Sequence, residues 1–521
     1  MNSKPNKAWR QYEAGKAYKS RIGLYETARR NECFYRGEQW QSSEAEGLPK
    51  PVFNIIRRVI DYLVCSVASA DLSVRFSDSN LPFSNTEEAQ LTRSLLETLT
   101  KNAAYRWEKC DMDAKLIDLL TDAAISGDGA LYCYWDDSAD GAGDYTGDIV
   151  TVVADGSCIY PADVNSRDIQ SQDYIIISGR SSVSSLRREA ENFGVSAEDT
   201  EKITADGDTS VVAGNMGRYE LEGEDEAKAT FIVKFWKEDG KVCFEKSTRD
   251  CVIKRAKTDC SLYPIAFFNW IDTKNSFHGT SPVTGMIPNQ KFINRAYAMA
   301  MKHMTDTAFS KVIYDKSKIP EWSNEVGEAI AAVGGGNISD AVSVIGTGKM
   351  QEGFMDLIDS AVTLTKELMG ATESALGNME ASNTSAILAL QETSRITLDN
   401  VRVSFYKCVE DMASIWADMM CAYYPSDRLV PCLEKDGAIA RQLDTSLLRR
   451  SMLKAHIDVA EITRYSAVNA QNMLDKLLDG GHITPAEYIK RLPAGLLMDR
   501  QSLIDEIEAR TNTKQQEEQY G

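Results

Sequence analysis

The chain has 521 residues, 43% apolar and 26% charged, with 77 acidic against 58 basic side chains and a formal net charge of −19. That length divides into roughly two to four structural units, and no apolar run reaches the ~18 residues that would cross a bilayer. A surface so acidic repels polyanions, which excludes an ordinary nucleic-acid binder, whose affinity comes from releasing counterions around phosphate.

The opening MNSKPNKAWRQYEAGKAYKS lacks the apolar core of an export signal, so secretion is not expected. Residues 6–36 read as one helix that stops at Gly37 in FYRGEQW. Charge is uneven here: Lys4, Lys7, Arg10, Lys16, Lys19, Arg21, Arg29, Arg30 and Arg36 face only Glu13, Glu26 and Glu32. A solvated helix face and a basic contact with an acidic partner or a neighbouring subunit both account for this. In VFNIIRRVIDYLVCSVASA (52–70), Val52, Ile55, Ile56, Val59, Ile60, Leu63 and Val64 form a helical stripe. A third helix is expected over about 86–126, where KLIDLLTDAAIS is amphipathic.

From Ala130 the period becomes that of strands: ALYCYWDD, DIVTVVAD and DYIIISGR are β-branched and aromatic runs between Gly/Asp/Ser clusters. A further β group is expected over 230–255, with a hairpin turn at EDGK. Between them, residues 191–228 are rich in Glu, Asp and Gly and read as a surface excursion. The segment YPIAFFNWIDTKNSFHGTSPVTGMIPNQ (263–290) is aromatic and turn-rich, and Pro288 suits the first turn of a helix over 289–311. That helix is rich in Ala and Met with apolar residues on several faces, so contact on more than one side is expected.

Residues 312–349 read as a compact insertion with strand-like ends, a short helix near Trp322–Ala332 and a Gly-rich turn. A second helix follows over 354–376, and the two would run antiparallel with the insertion at their tip. GNMEASNTS (377–385) interrupts the helical pattern, which resumes over 386–424 for a length of about 58 Å at ~1.5 Å per residue. Residues 430–521 read as helical with breaks at LLDGGHITPAEY and RLPAGLLM, and TNTKQQEEQYG as a disordered end.

Motifs for chemistry are not found. The 11 cysteines include no CxxC pair and fit reduced thiols. No two of His278, His303, His456 and His482 lie close enough in sequence to suggest a shared site, so no metal centre is expected. VSVIGTGKM holds Gly348-Lys349, yet Ser343 and Met350 occupy positions where a phosphate loop needs glycine and a hydroxyl. GGGN (334–337) lacks the strand-to-helix context of a dinucleotide fingerprint. DDSADGAGDYTGD matches the first half of a calcium loop through Asp136, Ser138, Asp140 and Gly141, but Gly147 stands where the closing Glu belongs, so a polar turn is expected. With no GxSxG elbow or HExxH present, no catalytic residue and no cofactor is assigned.

The order FYRGEQW, AAISGDGALYCYWD, YIIISGR, YPIAFFNWIDTKNSFHGTSPVTGMIPNQKFIN, AFSKVIYDKSKI, LTKELMGATESALGN and RVSFYKCVEDMASIW resembles a portal protein of a tailed bacteriophage over most of 30–425. The resemblance implies an α+β, predominantly helical fold assembled as a ring, typically of about twelve subunits, at one capsid vertex. It implies a wing (1–287 and 386–425), stem helices (288–311 and 353–376), a clip (312–352), a tunnel loop (377–385) and a helical crown with a disordered tail (426–521). Such a ring conducts double-stranded DNA without sequence specificity during packaging and ejection. It docks the terminase motor and head-completion or adaptor proteins, contacts major capsid and scaffolding proteins, and has no membrane and no enzymatic activity of its own. Its place is the virion, and the host cytoplasm during assembly.

On this reading Gly377, Asn378, Met379, Glu380, Ala381, Ser382, Asn383 and Thr384 project toward DNA, since Gly, Asn and small hydroxyl residues accept conformations a helix cannot. A glycine-type helix end followed by a Ser/Thr/Asn cap explains the same residues locally. Acidic walls would keep phosphate from sticking, and Lys311, Lys316, Lys318, Lys349 and Lys366 are candidate channel or clip lysines that offset this locally. Ala296, Ala298, Ala300 and Ala308 would let a neighbouring subunit approach the first stem helix closely, although a helix buried within one chain shows similar residues. A non-viral helical scaffold or adaptor, and a hydrolase with an unrecognised site, are the alternatives.

Overall fold

The computed structural model describes residues 6–492, except 41–46, 70, 80–85, 142, 144, 207–226, 309–310, 324–329, 335–336, 338–339, 346–349, 351, 372–397, 427, 435–436, 450–452 and 461–463, together with 503, 504 and 507. In chain order the helices are α1 (Lys7–Arg21), α2 (Leu24–Arg36), α3 (Ile55–Ala68), α4 (Thr86–Lys109), α5 (Met112–Ser126), α6 (Val183–Asn192), α7 (Ala197–Thr200), α8 (Pro282–Ala308), α9 (Phe354–Leu368), α10 (Asp399–Tyr423), α11 (Thr445–Leu448), α12 (Arg464–Asp479) and α13 (Pro485–Arg491). The strands are β1 (Asp71–Asp78), β2 (Asp128–Asp140), β3 (Thr146–Asp155), β4 (Ile159–Pro161), β5 (Tyr174–Ser182), β6 (Lys228–Glu238), β7 (Lys241–Ser247), β8 (Val252–Lys257), β9 (Ile265–Asn269), β10 (Lys311–Tyr314), β11 (Val342–Ile345), β12 (Leu429–Glu434), β13 (Gly437–Gln442) and β14 (Leu453–Ala460).

The main core forms where helices close over the antiparallel sheet β3-β2-β9. Asn54 caps α3 by accepting the Arg57 amide at 3.1 Å, and the helix then buries Ile56, Val59, Ile60, Leu63, Val64 and Val67 at the spacing that keeps one face inward. Val52, expected in that stripe, precedes the helix and is 41% exposed. From the other side α10 brings Phe405 and Trp416 into the same core, and the Trp416 indole donates to Thr151 Oγ1 at 2.8 Å. A five-stranded antiparallel sheet, β4-β5-β6-β7-β8, extends the body, and α1 packs Ala8, Trp9 and Tyr12 against its Tyr160, Ile176 and Ile232. The EDGK turn joins β6 to β7 with φ of +55° at Asp239 and +75° at Gly240, the left-handed pair a two-residue hairpin requires.

A buried charge ties α4 to this body. Arg106 donates to Asp148 Oδ1 at 2.7 Å and to the Ile149 carbonyl at 2.6 Å, while Lys109 reaches Asp148 Oδ2 at 2.9 Å. Burial works against the Asp148 charge, but these cations and the Ile149 amide hold its carboxyl far below the usual carboxylate range. The DDSADGAGDYTGD segment forms the β2–β3 hairpin, in which the Asp136 carboxylate accepts the Ser138 amide at 2.9 Å.

Several expectations need correction. The helix expected over 6–36 is broken at Gly23, whose φ is +69°, and that over 86–126 at Asp111, whose φ is +50°. No sequence signal announced β1, which pairs with β14 from Asp71↔Ala460 to Asp78↔Leu453. The region after 426, expected to be helical, opens with β12, β13 and β14 before α12. Pro288 is not in the first turn: α8 starts at Pro282, so Pro288 lies inside it. The second helix of the pair, expected over 354–376, ends at Leu368, where Gly370 at φ +73° lets the Gly370 and Ala371 amides close back on Glu367 and Lys366, and 372–376 lie outside the described residues. Of the long helix over 386–424, α10 covers Asp399–Tyr423, and 386–397 lie outside the described residues. Residues 321–323 and 330–333 are irregular, and the remainder of the short helix expected near Trp322–Ala332 also lies outside.

Candidate assembly surface and channel helices

Helices α8 and α9 pack on each other and carry the β10–β11 ribbon between them. At ~1.5 Å per residue, the 27 residues of α8 run about 40 Å. Its start is fixed by hydroxyl and glycine chemistry: Ser281 Oγ accepts the Val283 amide at 3.0 Å and donates to the Ala124 carbonyl at 2.6 Å. Gly127, at φ +105°, approaches Gly279 so closely that a Cβ there would stand 2.9 Å from the Gly279 carbonyl oxygen.

Beneath that contact lies a buried polar centre. Asp128 accepts from Gly279 N at 2.7 Å and Asn269 Nδ2 at 2.8 Å, and its Oδ2 lies 2.5 Å from His278 Nδ1. Burial lowers the His278 pKa against the pull of Asp128. Lys19, 1% exposed, donates to the Ser157 and Ile159 carbonyls at 2.6 Å each, with its Nζ 3.9 Å from the Tyr160 ring centroid. Burial pushes the Lys19 ammonium down to about 7, with Cys158, Asp128 and Asp155 opposing. Histidine spacing alone missed this centre, because its members are Lys19, Asp128 and His278, joined only by the fold. The motifs SGDGA and SFHGTSP were the available signal.

Just over two turns along α8 from Pro282, amides lock the helix to α2 and α3. Gln290 Oε1 accepts from Ile55 N at 3.1 Å, and its Nε2 donates to the Phe53 carbonyl at 2.8 Å and to Asn294 Oδ1 at 2.9 Å. Asn294 donates to Gln39 Oε1 at 2.7 Å, and Gln39 donates to Asn54 Oδ1 at 3.0 Å and the Phe34 carbonyl at 2.9 Å. Each amide finds partners, so the joint is polar and buried without a desolvation penalty left open.

Beyond the joint, α9 divides into faces. Ile358, Val362, Thr365 and Met369 follow one side, where Ile358 and Thr365 are buried. On one flank Leu357, Leu364 and Leu368 are 54%, 57% and 73% exposed. The side away from the buried one carries the exposed Asp356, Thr363 and Glu367, with Asp359 at its edge. Helix α8 adds exposed Phe292, Met299, Met301 and Met304. Ala296, Ala298 and Ala300, expected to admit a neighbour, are instead buried within the chain, and Ala308 is exposed.

The candidate lysines among the described residues fall at two places, around β10 and on α9. Lys311 begins β10, Lys316 is exposed and Lys318 half-buried beyond that strand, and Lys349 lies outside the described residues. Lys366 lines a recess of about 300 Å³ at the joint with Arg58, Phe53 and Tyr297, the two rings being 4.3 Å apart. Gly377, Asn378, Met379, Glu380, Ala381, Ser382, Asn383 and Thr384 all lie outside the described residues.

A mixed α/β body bearing a long helical pair with exposed leucines and methionines defines the class of protein: one whose apolar surface is not closed by its own chain. The family model for the phage P22-like portal protein matches residues 17–445. The chain belongs to that family. No curated protein matches it significantly. The match ends before β14, α12 and α13. Portal proteins are structural parts of the phage rather than enzymes, and family membership implies the capsid vertex. Among the described residues no helix is long and apolar enough to cross a membrane.

Proposed function

We propose that copies of this chain close side by side into a ring of about twelve, that α8 and α9 form its stem, and that the ring conducts double-stranded DNA during packaging and ejection. The observation that carries this reading is the arrangement of α9. Its acidic side lies away from its buried side, and Leu357, Leu364 and Leu368 run along one flank between them. If the acidic residues face the channel, the leucines face the next copy. Burying such side chains stabilises the contact by about 1.5–3 kcal/mol each, while the carboxylates repel the phosphates of passing DNA.

In this reading residues 1–287 and 386–425 form the wing, 288–311 and 353–376 the stem, 312–352 a clip, and 426–521 a crown built of β12–β14 as well as helices. Residues 377–385 form the tunnel loop. The clip meets the terminase during packaging and head-completion proteins afterwards, the wing meets capsid and scaffolding proteins, and the protein itself performs no catalysis.

The pair Leu364→Glu and Leu368→Glu tests it. The doubly substituted protein is expected to fold normally and to remain a single copy by native mass spectrometry, where the wild type gives the ring. An equally stable ring from the substituted protein would remove the leucine flank from the interface. Deleting Asn378–Thr384 is expected to leave the ring intact while packaging into procapsids falls, and loss of the ring on this deletion would contradict the loop assignment.

A further inference from the structure

The basic excess near the start of the chain has no role in the stem, and its neighbour in space is also basic. Residues 228–257, covering β6, β7 and β8, carry nine lysines and arginines against four carboxylates in a chain of net charge −19. Register places several of them in adjacent cross-strand rows on the side of the sheet that α1 packs against. Lys234 pairs with Glu245 and Glu245 with Arg255; in the next row Tyr174 pairs with Trp236 and Cys243 with Lys257.

Trp236 sits between cations, with Lys234 Nζ 5.4 Å and Arg255 Cζ 5.1 Å from its ring, and Lys234 is also 5.0 Å from the Tyr174 ring. Two carboxylates lie close by: Glu245, between Lys234 and Arg255 in the row, accepts from Asn6 Nδ2 at 2.5 Å, and Glu238 accepts from the Trp236 indole at 2.7 Å. Burial, then Lys7 and Arg255, hold the Lys234 ammonium below the usual lysine range, with Glu245 opposing. Lys7, at the start of α1, therefore adds its charge to the same place. Among the described residues, no ion pair within 4.0 Å joins Lys7, Lys234 or Arg255 to a carboxylate, whereas Lys257 is paired with Asp239 at 3.0 Å. Three cations against Glu245 and Glu238 leave the place with a positive excess, which favours an incoming anion.

We propose that Lys7, Lys234 and Arg255, arranged about Trp236 and Tyr174, form a docking surface for an acidic protein segment. The inference stands apart from ring formation and does not depend on it. An acidic peptide is favoured over nucleic acid for two reasons. Cations already lie over the Trp236 ring, so it is not an open platform for base stacking. The chain's charge of −19 also repels a long polyanion more than a short peptide, whose carboxylates meet the patch locally.

Fluorescence anisotropy of the full chain with a labelled peptide of alternating Glu and Asp tests the proposal, with oligothymidylate of equal charge as the second probe. The peptide is expected to bind in low salt and to weaken as salt rises. Lys234→Ala with Arg255→Ala is expected to weaken it by about tenfold or more. Lys234→Arg is expected to retain binding, and Lys241→Ala, which alters a lysine outside the cluster, to leave it unchanged. Absence of peptide binding, equal binding by the double variant, or tighter capture of oligothymidylate at these residues would each overturn the proposal. Circular dichroism of the variants separates lost binding from lost folding.

Discussion

The inner part of α8, Pro282–Ala300, and its outer part, Met301–Ala308, both carry Ala and Met and meet opposite fates. Through Ala300 its inward positions are buried, among them Val283, Met286, Ile287, Ile293, Ala296 and Ala298, and its polar members Gln290 and Asn294 are fully engaged with α2 and α3. From Met301 to Ala308 every residue is at least partly exposed, and α9 beside it shows leucines to solvent. The inner part is completed by its own chain. The outer part holds apolar surface that a single copy leaves in water, at about 25 cal/mol per Å². The difference teaches that Ala- and Met-rich periodicity marks contact without saying whether the partner is internal or another molecule.

The largest way to break this contrast is Gln290→Leu. It removes the Gln290 hydrogen bonds to the Ile55 amide, the Phe53 carbonyl and Asn294 from a buried network and puts an apolar side chain among their polar atoms, and a loss of about 3 kcal/mol in urea unfolding is expected. A change below about 0.5 kcal/mol would show that the joint is not a locked element.

The second tests the centre under α8 through pH. Lys19 titrates at about 7 in the fold and at 10.5 otherwise. Between those values the unfolded chain holds a proton that the folded chain has shed, so the stability that passes through Lys19 rises with pH from about 7 toward 10 and is flat below. Relative to Lys19→Met, the wild type is expected to gain about 2 kcal/mol between pH 7 and pH 9. The check is the difference in unfolding free energy at the two pH values, and a constant difference would contradict the buried geometry.

The smallest effect sharpens the comparison from the other side. Met304→Ser, at a side chain 64% exposed, is expected to change the stability of a single copy by less than about 0.5 kcal/mol. A loss above about 2 kcal/mol under conditions that keep the protein a single copy would mean that the outer part is completed internally after all.

Much of this organisation was legible in the sequence. The α3 stripe, the EDGK hairpin and the helix–ribbon–helix order around 282–368 rest on local periodicity and turn chemistry, which sequence states directly. What was not legible depends on partners distant in the chain. Strand β1 exists because β14, 375 to 389 positions away, supplies its ladder; neither its register nor its pairing is written in either segment alone. The Lys19–Asp128–His278 centre and the Gln290 network likewise join residues whose types are common and whose meeting is set by tertiary packing. Pro288 misled because a proline early in a helix reads as a start, while Ser281 and Pro282 hold that place. The leucine flank of α9 was present as a helical pattern, but its exposure needed α8 to be positioned first.

Negative-stain electron microscopy of the purified wild-type chain tests the central claim most directly. The account predicts end-on views of closed rings with a hole on the axis, the stem helices surrounding it. Particles of a single copy with no enclosed hole, found in solution and again at the vertex of assembled capsids, would contradict it.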